Sequence, residues 1–220
     1  IPKTSGTYFG QSMTANYIYS LANNTYLYYC RGVTSDLQGN VYIANTDLQT
    51  IVLVPKTSGT FFGQSMTANS VYIIAGNGSA GYSGENRIAT AARLNNQSLS
   101  SGLTVDSAGN IYIADLGNSR LFFIPKISGT YFGQAMTANF MYTIAGNGYG
   151  SYVSDNVAAT STNINNPRGV CVDSAGNVYF ADTTNNRIRF VPKANGTYFG
   201  QSMTANYIYT IAGNGTGGYV

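Results

Sequence analysis

The chain has 220 residues, of which only 9% are charged, a net charge of +3 and no histidine. That length can bury a sizeable core, and the dispersed lysines and arginines form no basic block for nucleic acid or a membrane surface. No apolar run reaches the roughly 18 residues of a membrane span, and without histidine there is no imidazole base, no Ser–His pair and no His-ligated metal.

One phrase sets the organisation. SGTYFGQSMTAN starts at Ser5 and returns as SGTFFGQSMTAN from Ser58, SGTYFGQAMTAN from Ser128 and NGTYFGQSMTAN from Asn195, behind Lys3, Lys56, Lys126 and Lys193. Self-similarity of this kind marks a repeat architecture. Residues 1–22 hold one copy and a returning strand at Tyr17–Ala22, a partial unit. Complete units are expected at 31–76, 101–146 and 168–213. Each opens with two short alternating apolar runs around Asp-x-x-Gly-Asn: RGVTSDLQGNVYIAN, SGLTVDSAGNIYIAD and RGVCVDSAGNVYFAD. The pattern reads as two strands and a tight turn, with Asp accepting from the turn backbone and Gly or Asn tolerating positive φ. A third strand follows (TIVLVP, RLFFIP, RIRFVP) and stops at proline, which has no amide hydrogen for the ladder. The repeated phrase is then an extended hairpin arm, and VYIIAG, MYTIAG or YIYTIAG returns as a fourth strand. Glycine-rich linkers join the units, with one helical turn expected at Ala-Thr-Ala-Ala-Arg-Leu; before Arg31 the linker shrinks to ANNTYLYYC. Four short antiparallel strands per period predict an all-β fold, a β-propeller of three complete blades and an N-terminal partial blade.

NNPRGVCVDSAGNVYFADTTNNRIRFVPK (Asn165–Lys193), flanked by YTIAGNG, resembles the NHL-repeat β-propellers, especially bacterial tandem-repeat versions. The resemblance implies four-stranded blades and proteins that mostly bind protein, peptide or RNA. Some relatives are metal-dependent enzymes and some are extracellular sensor domains. The metal ligands of the enzymatic relatives have nothing to map onto in a chain without histidine.

Asp115 and Arg120 are five residues apart, as are Asp182 and Arg187, and both partners disappear together at Asn45 and Thr50. Joint loss predicts an ion pair across the second turn, since an unpaired buried charge costs roughly 3–5 kcal/mol. The turn carboxylates Asp36, Asp106 and Asp173 are given structural roles too. Asp47, Glu85 and Asp155 remain in separate loops, too few for a Ca²⁺ cluster. Cys30 and Cys171 occupy non-equivalent positions with no metal spacing, and no cofactor is expected.

Two surfaces are candidates for binding. The arms carry Tyr8 and Phe9, Phe61 and Phe62, Tyr131 and Phe132, and Tyr198 and Phe199, each near a lysine. Arrayed on one face they could stack on sugar rings or grip peptide; alternatively they pack back on their own blades. The opposite face carries Arg31 and Arg168. The expected function is a non-enzymatic, secreted or cell-surface binding or adhesion scaffold for protein, peptide or glycan. The alternatives are a self-assembling module that closes a propeller by homo-oligomerisation and, least favoured, a lyase- or hydrolase-like propeller enzyme. Both chain ends cut through repeat units, so the working object is expected to be a longer chain or a homo-oligomer.

Overall fold

The protein is described by a computed structural model over residues 1–21, 27–95 and 102–218. The described residues form three four-stranded antiparallel sheets, blades 1 to 3, in chain order. Blade 1 is Cys30–Ser35, Val41–Asn45, Thr50–Val54 and Tyr72–Ala75. Blade 2 is Leu103–Val105, Ile111–Asp115, Arg120–Ile124 and Phe140–Ala145. Blade 3 is Pro167–Val172, Val178–Asp182, Arg187–Val191 and Tyr207–Ala212. Each arm is a separate two-stranded hairpin between the third and fourth strands.

The linkers are more ordered than the sequence reading expects. Arg87–Ile88 and Val157–Ala158 each add a short fifth strand, Ile88 opposite Phe140 and Ala158 opposite Tyr207. Each linker is thus a strap along the outer edge of the blade that follows it. It then makes one 3₁₀ turn, at Ala89–Ala91 or Ala159–Ser161. The strand expected at Tyr17–Ala22 is not formed: Tyr17–Leu21 lie outside any strand, and Ala22 falls outside the described residues. In the other copies this strand pairs with the third strand of its own blade, and no described strand lies alongside Tyr17–Leu21.

Alternation in the strands explains the stack. In blade 2, Ile111, Ile113, Phe122 and Ile124 pack with Tyr42, Ala44, Ile51 and Leu53 of blade 1. The intervening residues Tyr112, Ala114, Leu121 and Phe123 pack with Val178, Phe180 and Val191 of blade 3. Blade 2 is therefore buried on both faces, the period-2 pattern of a sandwiched sheet. Glycines occupy the closest approaches. A Cβ on Gly102 would lie 1.9 Å from the carbonyl oxygen of Arg168, so the first strands of blades 2 and 3 meet only at glycine. Gly146, at φ +85, would put a Cβ 2.3 Å from the Ser119 carbonyl, and Gly76 and Gly213 repeat that approach.

The expected Asp–Arg pairs are corrected. Asp115 and Arg120, like Asp182 and Arg187, stand opposite each other in register, but neither acid pairs with the arginine across from it; Arg120 meets Glu85 at 3.9 Å and Asp182 meets Arg189 at 2.9 Å. Arg120 lies over the Tyr82 ring at 3.9 Å and donates to the carbonyls of Asn118 and Asn147. Arg187 lies over Tyr152 at 3.6 Å and donates to the carbonyls of Asn185 and Asn214. The acids have another task. Oδ1 of Asp115 accepts the backbone N–H of Asn95 at 2.9 Å, Oδ1 of Asp182 that of Asn165 at 2.7 Å, and Oδ1 of Asn45 that of Tyr28 at 2.8 Å. The position captures the end of the incoming linker, and an amide oxygen does this as well as a carboxylate. Arg120 and Arg187 hold strap tyrosines, so the joint loss at Asn45 and Thr50 follows the shortened linker, not a lost ion pair.

The two buried acids are compensated differently. Among the described residues Asp115 is held by the donors of Asn95 and Asn118, with Arg120 acting at longer range, and burial outweighs them and pushes its carboxyl up to about 7. Asp182 holds fully buried Arg189 at 2.9 Å, and Asp155 holds the other end of the guanidinium at 2.9 Å. Opposite responses follow. With its folded pKa above the unfolded value, Asp115 contributes stability that is complete below about pH 4 and is lost as pH rises through about 7, a loss on the order of 4 kcal/mol. Removing the charge of Asp182 in D182N leaves buried Arg189 with only the partly exposed Asp155 as a counter-charge and should cost up to about 3–5 kcal/mol at neutral pH. Urea unfolding of the wild type from pH 4 to 8, and of D182N at pH 7, measures both.

Candidate binding face

The face that carries the arms is built on the Asp-x-x-Gly-Asn turns. In blade 2 the Asp106 carboxylate accepts the backbone N–H and side-chain amide of Asn110 and the hydroxyl of Tyr112, and Asn110 Oδ1 accepts the N–H of Lys126. Asp36 with Asn40, Tyr42 and Lys56 repeats the network, as does Asp173 with Asn177, Tyr179 and Lys193. Burial works to raise the Asp173 carboxyl, but the donors of Asn177, Tyr179 and Ala175 together hold it below its ordinary value. Conversely, burial and the neighbouring carboxylate push the tyrosine hydroxyls at Tyr42, Tyr112 and Tyr179 up. The lysine stems lie across the turn glycines, with Nζ 3.1 Å from where a Cβ of Gly109 or Gly176 would sit. Each turn thus joins strands one, two and three and the root of the arm.

The arms are tight hairpins. Tyr131 pairs with Gln134, which leaves Phe132-Gly133 as a two-residue loop, both with positive φ (50° and 74°). That is the primed-turn geometry hairpins favour, though it places a bulky residue in the left-handed region, at about 1–2 kcal/mol. Packing offsets the strain. Phe132 lies edge-on to Phe123 at 5.3 Å and to Tyr112 at 6.4 Å, and Tyr131 is 5.1 Å from Phe123. Tyr198 and Phe199 meet Phe190 at 5.2 and 5.4 Å, and Phe61 and Phe62 pack against the core between blades 1 and 2. Tyr8 bonds Thr4 within the first arm and lines a small cleft with Phe9 and Tyr19. The solvent-facing aromatic array is therefore replaced by rings folded onto their own blades, with Phe199 the exception at 60% exposure. Between the arms of blades 2 and 3, Tyr131, Phe132, Lys193 and the turns at Asp106 and Asp173 line a cleft of about 180 Å³.

The opposite face carries Arg31 and Arg168. Arg31 is exposed, 5.9 Å from the Tyr29 ring. Arg168 is half-buried, with its Nε enclosed and without a hydrogen-bond partner. They belong to the first strands of blades 1 and 3, with that of blade 2 between them, so they do not converge on one point. Glu85 and Asp155 are strap anchors: Glu85 accepts the N–H and hydroxyl of Thr143, and Asp155 holds Arg189 and Thr210. Among the described residues no group of three His, Cys, Asp or Glu is placed to hold a metal ion, and Cys30 and Cys171 are free, exposed thiols.

Sequence reasoning missed two features. One is Arg189, whose signal was a charge in a column that reads Val52 and Phe122 in the other blades. The other is a cleft of about 870 Å³ on the outer rim of blade 1, among Leu48, Thr50, Phe62, Gln64 and Ile73. Its signal was the departure of Leu48, Thr50 and Ile73 from Asn118, Arg120 and Thr143 of blade 2.

The family model for the NHL repeat matches residues 165–189. No curated protein matches the sequence. Among solved structures, a protein of unknown function from Bacteroides thetaiotaomicron is 18% identical over 76% of this chain and 34% of its own, at a TM-score of 0.48. An auxiliary nutrient binding protein from the same organism is 13% identical over 84% of this chain and 36% of its own, at 0.49. Virginiamycin B lyase from Staphylococcus aureus is 15% identical over 78% of this chain and 40% of its own, at 0.41. The chain thus spans about a third of the length of the first two. The match at 165–189 covers the first two strands of blade 3 and the start of its third, whose Asp-x-x-Gly-Asn turn recurs in blades 1 and 2: the chain carries an NHL repeat.

Proposed function

We propose that the chain is part of an NHL-type propeller that acts as a non-enzymatic, extracellular or cell-surface scaffold, binding peptide or glycan on the face that carries the arms. The observation that carries this reading is the arm face itself. Three rigid Asp–Asn–Tyr turns hold lysines beside aromatic arms, and the cleft between the arms of blades 2 and 3 places Lys193 next to Tyr131 and Phe132. Ring faces with a nearby cation and amides suit sugar rings or an extended peptide. The non-enzymatic part is supported by how the acids are used: Asp36, Asp106 and Asp173 are saturated by turn donors, and Asp115, Asp182, Glu85 and Asp155 tie linkers to blades. No helix among the described residues is long and apolar enough to cross a membrane.

Homo-oligomeric assembly is a second reading, favoured by blade 3. Ile188 is 40% exposed on its outer face, whereas the equivalent Leu121 and Ile51 are 1% and 0% exposed beneath the next blade. Packing that face against a second copy would complete the same interface. Size-exclusion chromatography with light scattering decides it: assembly predicts a multiple of 23.4 kDa, and a stable monomer contradicts it.

Glycan and peptide arrays test the binding reading. The wild type is expected to retain a ligand that the K193A variant, altered at an exposed side chain of the cleft, binds at least about tenfold more weakly while its far-UV circular dichroism is unchanged. No ligand on either array, or equal binding by the variant, overturns it.

A further inference from the structure

The outer rim of each blade presents the same groove, and among the described residues a linker strap is seated on it over two of the three blades. Over blade 2 the strap seats Tyr82 against Arg120, and Glu85 caps Thr143. Asn118 donates to the Gly81 carbonyl at 2.8 Å and pins the segment. Over blade 3, Tyr152 lies on Arg187, Asp155 accepts from Thr210, and Asn185 donates to the Ser151 carbonyl at 2.8 Å. The recurring occupant is an extended, glycine-rich segment with a tyrosine and, three residues on, an acid.

In blade 1 every group that holds the strap is changed in one direction. Leu48 stands where Asn118 and Asn185 pin the backbone, Thr50 where Arg120 and Arg187 meet the ring, and Ile73 where Thr143 and Thr210 receive the acid. Charge and charge-seeking donors give way to apolar or small neutral groups. The cleft measures about 870 Å³ here, against about 500 Å³ at blade 2, where the strap residues Tyr82 and Glu85, together with Arg120, line it. Leu48, Ile73 and Ile88 are exposed in its walls, and Gln64 and Asn77 supply amides.

We propose that this rim cleft is a peptide-binding site that seats the tyrosine of an extended, glycine-rich segment carrying no acid three residues after it. The two occupied grooves give the occupant its shape, and the substitutions at Leu48, Thr50 and Ile73 give its charge. A ring seated here gives up the guanidinium contact of the other blades and meets the apolar walls of Leu48 and Ile73 in its place. A carboxylate would have no donor at Ile73 and would be desolvated without compensation. This site is separate from the arm face.

The probe is the strap sequence itself as a capped peptide, Gly-Asn-Gly-Ser-Ala-Gly-Tyr-Ser, titrated into methyl-labelled protein. Saturable shifts are expected at the methyl groups of Leu48, Ile73 and Ile88. The same peptide with alanine for tyrosine is expected to bind at least about tenfold more weakly. So is a peptide extended by Gly-Glu. Thr50→Arg installs the guanidinium on which Tyr82 and Tyr152 lie in blades 2 and 3 and should tighten binding of the tyrosine peptide, and not of the alanine peptide, by about threefold. The proposal is overturned if the tyrosine and alanine peptides bind alike, if the acid-bearing peptide binds as well, if no peptide shifts these methyls at about 1 mM, or if Thr50→Arg leaves binding unchanged.

Discussion

Face-to-face packing between consecutive blades is the constraint on which the rest depends. A four-stranded sheet of this size cannot stand alone: its five-residue strands bury an apolar face only against a neighbour. Ile111 and Ile113 turn to blade 1 while Tyr112 and Ala114 turn to blade 3, so blade 2 is held from both sides. The linkers keep that stack in register. Each ends with a backbone N–H captured by a side-chain oxygen on the preceding edge of the second turn, at Asn45, Asp115 or Asp182. That capture tolerates either an amide or an acid, and the chain uses both. The acid then needs an answer to burial, which Asp115 finds in a raised pKa and Asp182 in Arg189.

Much of this was legible in the sequence, because it is local. Proline after each third strand, Gly-Asn in each turn and period-2 alternation in VYIAN, IYIAD and VYFAD fix the strands within a few residues. The one helical turn expected at Ala-Thr-Ala-Ala-Arg-Leu is present at Ala89–Ala91. What was not legible is long-range. The five-residue spacing of Asp115 and Arg120 does make them cross-strand neighbours, but the guanidinium is drawn to a ring at Tyr82, on a linker that spacing alone cannot place. The strand expected at Tyr17–Ala22 failed for a similar reason: pattern reports the capacity to form a strand, and a ladder needs a partner. The aromatic arms were ambiguous because a Tyr-Phe-Gly loop looks the same whether its rings face solvent or fold back, and only the position of Phe123 or Phe190 beneath them decides.

The same comparison among blades separates scaffold from site. Features present in all three, such as the Asp–Asn–Tyr turns and the captured linker N–H, answer requirements of the fold. Features that differ mark places where the fold leaves freedom: Arg189 against Phe122 and Val52, or Leu48, Thr50 and Ile73 against the strap-holding residues of the other blades. Repetition acts here as an internal control, so departure from the repeat carries more functional information than the repeat does.

The account rests on linkers that are fastened to the blades, not draped over them. Amide hydrogen exchange at Tyr28, Asn95 and Asn165, the three captured N–H groups, tests this most directly. Fastened linkers predict that all three exchange as slowly as the second-strand amides of their blades, opening only with the stack itself. Exchange at the rate of an unprotected loop amide at any of them would contradict it.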